Sequence, residues 1–303
     1  MNARWRNLLL LVTLATAGAT SGVAATAPIP DLSGVYSHGG IPGFEPLASG
    51  PTSLVNLSRR EGNVGNNRQL VGDYRNPILT RETSAIVKKF GDMSLNHYTF
   101  DQPRNQCWPG GVPFELGNTG MQMLQTPGEV VILYSHDHQA RHIRMNQSHP
   151  ARVTPSWYGD SVGHYDGDTL VIDTVGVKIG PYAMVDWYGT PHSPALHVVE
   201  RYKLLDYAAA KEGLERSAKE NFIPGFNRKP SETSKYLQLF FTVEDPAVFT
   251  TPWSATMTYE RVSPRPDGVV PKSEWEEQVC AENLNKFGTE KDVTVPMADK
   301  PDF

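Results

Sequence analysis

The sequence predicts a mainly β fold: antiparallel strands closed into a calycin- or lipocalin-like barrel, or doubled over as a sandwich, with two or three short helices. Three observations point there. Short runs of alternating or β-branched residues follow one another through the middle of the chain. Hairpin signals link them, Asp166-Gly167-Asp168 being the clearest. No alternating βαβ pattern, G-x-G-x-x-G or P-loop signature occurs. Such a sheet must close or double over to hide its edges, and the chain reads as a meander, which favours the barrel.

The elements follow in order. Residues 1–25 read as a secretory signal peptide: Arg4 and Arg6 precede a short apolar run from Leu8 to Ala17, and Val23-Ala24-Ala25 offers a small-residue cleavage site. That run is too short to span a bilayer as a mature helix, and no later segment approaches 18 consecutive apolar residues. The expectation is therefore a periplasmic or secreted protein with no membrane span after cleavage. Residues 26–303 read as a single β-rich domain, loop-rich over 26–75 and holding one strand-like start at 32–36. Thr80 caps a helix expected to end at Gly91. Strands are expected over 129–134, 141–146, 160–165, 169–175, 196–205, 236–244 and 254–262. Asp206 caps a helix reaching about Glu220, and a last helix over 273–285 carries Cys280.

The net charge of −5 becomes two units more negative once Arg4 and Arg6 leave with the signal segment. With no basic stripe, nucleic acid and anionic membrane surfaces are unsuitable partners; a small molecule is the expected one. Cys107 and Cys280 are the two cysteines, and in an oxidising compartment they read as one disulfide. By loop entropy, closing roughly 170 residues stabilises by about 5 kcal/mol at most. Two free thiols are the other reading.

Three segments carry candidate chemistry. The first holds His136, Asp137, His138, Arg141, His142, Arg144 and His149. On an extended strand His136 and His138 share a side, a spacing that a cupin-like metal site with His142 would use. A solvated or substrate-lining turn is the alternative. The second holds Trp157, Tyr158, Asp160 and His164; Asp160 and His164, four apart on one strand, share a face, so the carboxylate can orient the imidazole as an acid or base. The third runs from Trp187 through His192 and His197 to Glu200 and Arg201, with His192 in a Pro-flanked loop of the kind that gathers at barrel mouths. A Ser-His-Asp hydrolase lacks its G-x-S-x-G elbow here.

The runs P-S-W-Y-G-D-S-V-G-H-Y-D-G-D-T-L-V-I-D-T-V-G, P-H-S-P-A-L-H-V-V-E-R-Y and V-E-D-P-A-V-F-T-T-P-W stand together with the early Asp31-Leu32-Ser33-Gly34-Val35-Tyr36 and Asn76-Pro77-Ile78-Leu79-Thr80 and the late Cys280-Ala281-Glu282-Asn283. In them the chain resembles a large family of secreted bacterial proteins bearing a PSWxGDSVGxxxGDTLVxDT motif. The resemblance implies export, and it places Asp160, His192, His197, Glu200, Glu244, Asp245 and Trp253 in shared motifs. The H-x-H at His136 and His138 is not one of its features, and residues 207–228 depart from its shorter connection.

The reading these residues support is an exported enzyme without cofactor or metal, a lyase or isomerase using acid–base chemistry on a small, partly aromatic or apolar molecule. His192 or His164 is the expected base, Asp160 its orienter and Arg141 the charge stabiliser; Trp157, Tyr158, Trp187, His197 and Trp253 are the expected binding residues. A periplasmic carrier holding an apolar ligand in the barrel is the alternative, with a metal-dependent cupin-like enzyme third. Mass spectrometry of the secreted form, with and without reductant, should find a chain beginning at Thr26 and peptides joined through Cys107 and Cys280. An intact Met1, or two alkylatable thiols in the native protein, would contradict these readings.

Overall fold

The computed structural model describes residues 29–39, 43–96, 100–117, 120–221 and 229–262. The expected signal segment, Cys280 and the expected helix over 273–285 lie outside them. Ten strands occur in chain order: β1 (Gly34–Ser37), β2 (Glu45–Pro46), β3 (Gly120–Gln125), β4 (Glu129–Tyr134), β5 (Ala140–Met145), β6 (Asp160–Asp166), β7 (Thr169–Val175), β8 (His197–Asp206), β9 (Lys235–Glu244) and β10 (Trp253–Arg261). Two α-helices accompany them, α1 (Arg81–Leu95) and α2 (Tyr207–Glu220).

Nine strands pair in the order β1-β3-β4-β5-β6-β7-β8-β9-β10, and β10 returns to β1 through Tyr36↔Arg261 and Ser37↔Glu260. The sheet is thereby a closed, mainly antiparallel, calycin-like barrel, with β2 attached to β10. It departs from a meander once. β5 and β6 are parallel, in register from Ile143↔Ser161 to Met145↔Gly163, so residues 146–159 must carry the chain back along the barrel before β6 begins. All pairings together define two rims. The upper rim gathers the ends of β1, β4, β7 and β9 and the starts of β3, β5, β6, β8 and β10; the lower rim holds the tight turns after β3 and β6.

Local chemistry explains most boundaries. Thr80 Oγ1 accepts from Thr83 N at 3.3 Å and starts α1. The helix passes Gly91, where a stop was expected, because that glycine is a packing position: a Cβ would stand 3.1 Å from Val71 Cγ1. It ends at Asn96, whose Nδ2 donates to Asp92 O at 2.8 Å. Asp206 does precede α2, but its carboxylate pairs with Lys235 and makes no capping bond. β3 reads GMQMLQ, without a β-branched residue, and pairs only because Met121 and Met123 fill the barrel.

The barrel interior is packed rather than hollow. Tyr36, Met123, Ile132, Ile172, Val198, Phe241, Trp253 and Met257 belong to one continuous buried cluster. In its midst Arg141, 2% exposed, meets Glu200, 0% exposed. Arg141 Nη2 and Nη1 donate to the two Glu200 oxygens at 2.6 and 3.0 Å. Its remaining bonds go to Ser161 Oγ (3.1 Å), Thr174 Oγ1 (2.6 Å) and Tyr134 OH (3.2 Å), while Tyr202 OH donates to Glu200 Oε2 at 2.7 Å. With its donors spent and water excluded, Arg141 is a structural cation, which corrects its expected role as charge stabiliser for a reaction. Removing one partner leaves a buried charge uncompensated, at a cost of about 3–5 kcal/mol. Chemical denaturation of Arg141→Met should show that loss, and Arg141→Met combined with Glu200→Leu should recover much of it. A single substitution as mild as the double would show that the pair is not isolated from water.

Candidate functional site

Three segments meet over the upper rim: 100–117, the crossover 146–159, and the 176–196 connection from β7 to β8. Between them lies a cleft lined by Pro103, Trp108, Gly110, Trp157, Lys178, Tyr182 and His192, among others. The Trp108 ring stands edge-on to Trp157 at 5.0 Å and 88°, and to Tyr182 at 5.7 Å and 81°. Lys178 Nζ lies 4.6 Å from the Trp157 ring centre, a cation–π contact. The cleft is narrow, with room for about one water molecule.

His192 is 9% exposed. Its Nδ1 lies 3.3 Å from Ser193 O, an acceptor only, which assigns the proton to Nδ1 and leaves the Nε2 lone pair unprotonated. Burial holds its pKa below the ordinary value of 6.5, with Ser193 O and Asp245 opposing, so the ring is neutral at pH 7. The loop around it is pinned by Asp245, which accepts from Ser193 N (2.6 Å), Ser193 Oγ (2.7 Å) and Ala247 N (3.2 Å). Behind the cleft, Asp137 performs a similar service. Its Oδ2 accepts from Tyr158 OH (2.6 Å) and Gly110 N (3.1 Å), and its Oδ1 from Gln139 N (3.1 Å). One carboxyl thus ties all but the 176–196 connection together. Burial raises the pKa of Asp137. Tyr158 itself stacks on Tyr134 at 4.9 Å.

The expected Asp160–His164 dyad does not form. Both side chains lie on the outer face of β6, as their spacing requires, but four residues of strand separate them by about 13 Å. His164 is exposed near the lower rim. Asp160 instead accepts from Arg144 Nη1 and Nη2 at 2.7 and 3.0 Å and contacts His149 Nδ1 at 2.6 Å. The chain of contacts continues around the outer wall: His149 Nε2 and His197 Nε2 lie 3.1 and 3.0 Å from the same Asp173 Oδ1, and His197 Nδ1 is 3.8 Å from Glu244. His197 is therefore part of a surface relay and not of the cleft.

The other expectations divide. Trp157 lines the cleft. Trp187 is buried beside it, packed on Phe114 at 5.0 Å and under the Arg104 guanidinium at 5.7 Å. Trp253 is core, against Phe44, Phe241 and Phe249. His136 and His138 fall in the β4–β5 turn, His138 with φ 54°, and His142 pairs with Glu129 at 2.7 Å on the outer wall. The extended H-x-H geometry is thus corrected: a turn, not a strand, holds it. Among the described residues no three His, Cys, Asp or Glu side chains are grouped to hold a metal, and no helix is long and apolar enough to cross a membrane.

The outer relay has a pH signature. The hydrogen bond to Asp173, foremost, raises the His197 pKa above its ordinary 6.5, so its stabilisation is present below that value and fades as pH rises through the folded pKa. Asp173 and Asp160 are lowered below 3.8, chiefly by His197 and by Arg144 respectively, so their stabilisation holds above that value and is lost in acid. The difference in melting temperature between the wild type and His197→Asn should be largest between about pH 4 and 6.5 and shrink on either side. A difference independent of pH would show that the His197–Asp173 contact is not ionic. No family model matches the chain, and no curated protein or solved structure is detectably similar to it.

Proposed function

We propose that the protein is an exported enzyme, periplasmic or secreted, that performs cofactor-free acid–base chemistry of the lyase or isomerase type. Its substrate is a small, partly aromatic or apolar molecule held in the Trp108–Trp157–Tyr182 cleft. The observation that carries this reading is His192: neutral, nearly buried in an aromatic cleft, with Nδ1 committed to a carbonyl and Nε2 left basic. Such an imidazole accepts a proton near neutral pH, and its fixed tautomer removes the need to reorganise first. Asp245 and Asp137 act as positioning residues, holding the loop and the cleft's rear wall. Lys178 supplies a cation for negative charge that develops as the proton leaves.

The carrier alternative asks for an apolar ligand inside the barrel. Side chains already fill that space, and its centre is an ion pair, so the cleft above the rim is the better location for any ligand. The cupin-like alternative loses its geometry with the turn at His136 and His138.

The reading is tested by proton exchange. In D₂O, wild-type protein should accelerate exchange of the C–H beside the carbonyl in at least one of a panel of small aryl ketones and aryl hydroxy acids, followed by NMR. His192→Ala should reduce that acceleration by about 10² to 10⁴ while keeping the fold. Equal exchange by the variant, or a His192 that titrates above 6.5 in the free protein, would overturn the assignment.

A further inference from the structure

The charge of the cleft's walls is one-sided. Among its described lining residues none is acidic, and Lys178 is the one permanent cation. Its ammonium rests over the Trp157 face at 4.6 Å and forms no ion pair with a described carboxylate. The acids nearby are already engaged. Asp160 is held by Arg144 and His149, Asp173 by His149 and His197, and Asp245 by Ser193. Asp137 spends both oxygens on donors behind Gly110, and Glu115, also behind Gly110, feels the charge of Arg104. Three aromatic rings set edge to face give the cleft flat apolar walls, and the charge at its mouth is positive.

We infer that the cleft binds a small planar anion, an aromatic carboxylate, with its ring among Trp108, Trp157 and Tyr182 and its carboxylate on Lys178 Nζ. The inference names the substrate class of the reaction proposed above and rests on that reading for the choice of site. The cleft as it stands has room for about one water, so a ring enters only if residues 178–183 move aside. Gly180 packs on both indoles, where a Cβ would stand 3.1 Å from Trp157 and 3.3 Å from Trp108. Opening therefore exposes flat aromatic surface, and the ligand ring replaces backbone against it.

Binding is measured directly, without turnover, by calorimetry and tryptophan quenching in low salt. Three probes of one shape are compared: benzoate, benzamide and benzylammonium. Benzoate should bind at least about tenfold tighter than benzamide, as a charge-assisted contact does, and the preference should shrink with added salt. Lys178→Met should abolish the preference, and Lys178→Arg should restore most of it. Benzamide or benzylammonium binding as well as benzoate overturns the inference, as does an unchanged benzoate affinity in Lys178→Met or binding by none of the three. Wild-type protein that shows the benzoate preference and its loss in Lys178→Met but no proton exchange would count against the reaction and not against the site.

Discussion

A guanidinium and a carboxylate enclosed in a barrel must be satisfied in every direction, and the groups that do so come from five strands. Arg141 comes from β5, Glu200 and Tyr202 from β8, Ser161 from β6, Thr174 from β7 and Tyr134 from β4. The desolvation of two charges is offset only if all these groups arrive together, so the network fixes which strands are neighbours and in which register. It also closes the interior to ligands. The room left for a small molecule is the cleft above the rim.

The crossover 146–159 decides what that rim contains. Because β5 and β6 run in parallel, the chain must travel back to the upper rim between them, and it brings Trp157 and Tyr158 there beside the 176–196 connection that carries His192. His149, within the crossover, is anchored to Asp160 and Asp173 on the outer wall. The relay of histidines and carboxylates outside the barrel therefore holds in place the segment that forms one wall of the cleft. The outer wall and the cleft are mechanically linked.

Much of the fold was legible because its signals are local. The β-branched runs at Glu129–Tyr134 and Thr169–Val175 and the Asp-Gly turn between β6 and β7 need no distant information. β3 was not legible, since Met and Gln carry no strand preference of their own and the segment is recruited by its partners. The parallel junction was also hidden: a polar link between two strands gives no sign of which way it returns. At the site, His192 could be found from its Pro-flanked, aromatic-rich loop. Asp160 and His164 misled, because a shared strand face guarantees a common side and not contact. The roles of Asp137 and Asp245 were beyond reach, for Asp245 meets Ser193 across 52 residues and Asp137 meets Gly110 across 27.

The parallel junction has one more consequence, for how the chain comes apart. It divides the barrel into two antiparallel ribbons, β1 with β3–β5 and β6 through β10. They are joined along two seams that share few paired positions, three between β5 and β6 and two between β10 and β1. Within the second ribbon each strand pairs with the next in the chain, and the longest ladder, β8 with β9, runs to ten pairs. With the fewest paired positions, the seams are where the barrel is expected to open first. Arg141 reaches across one of them to Glu200, which makes that ion pair a bolt between the two ribbons, and makes slow amide exchange on both sides of the β5–β6 seam a measure of how often the barrel breathes.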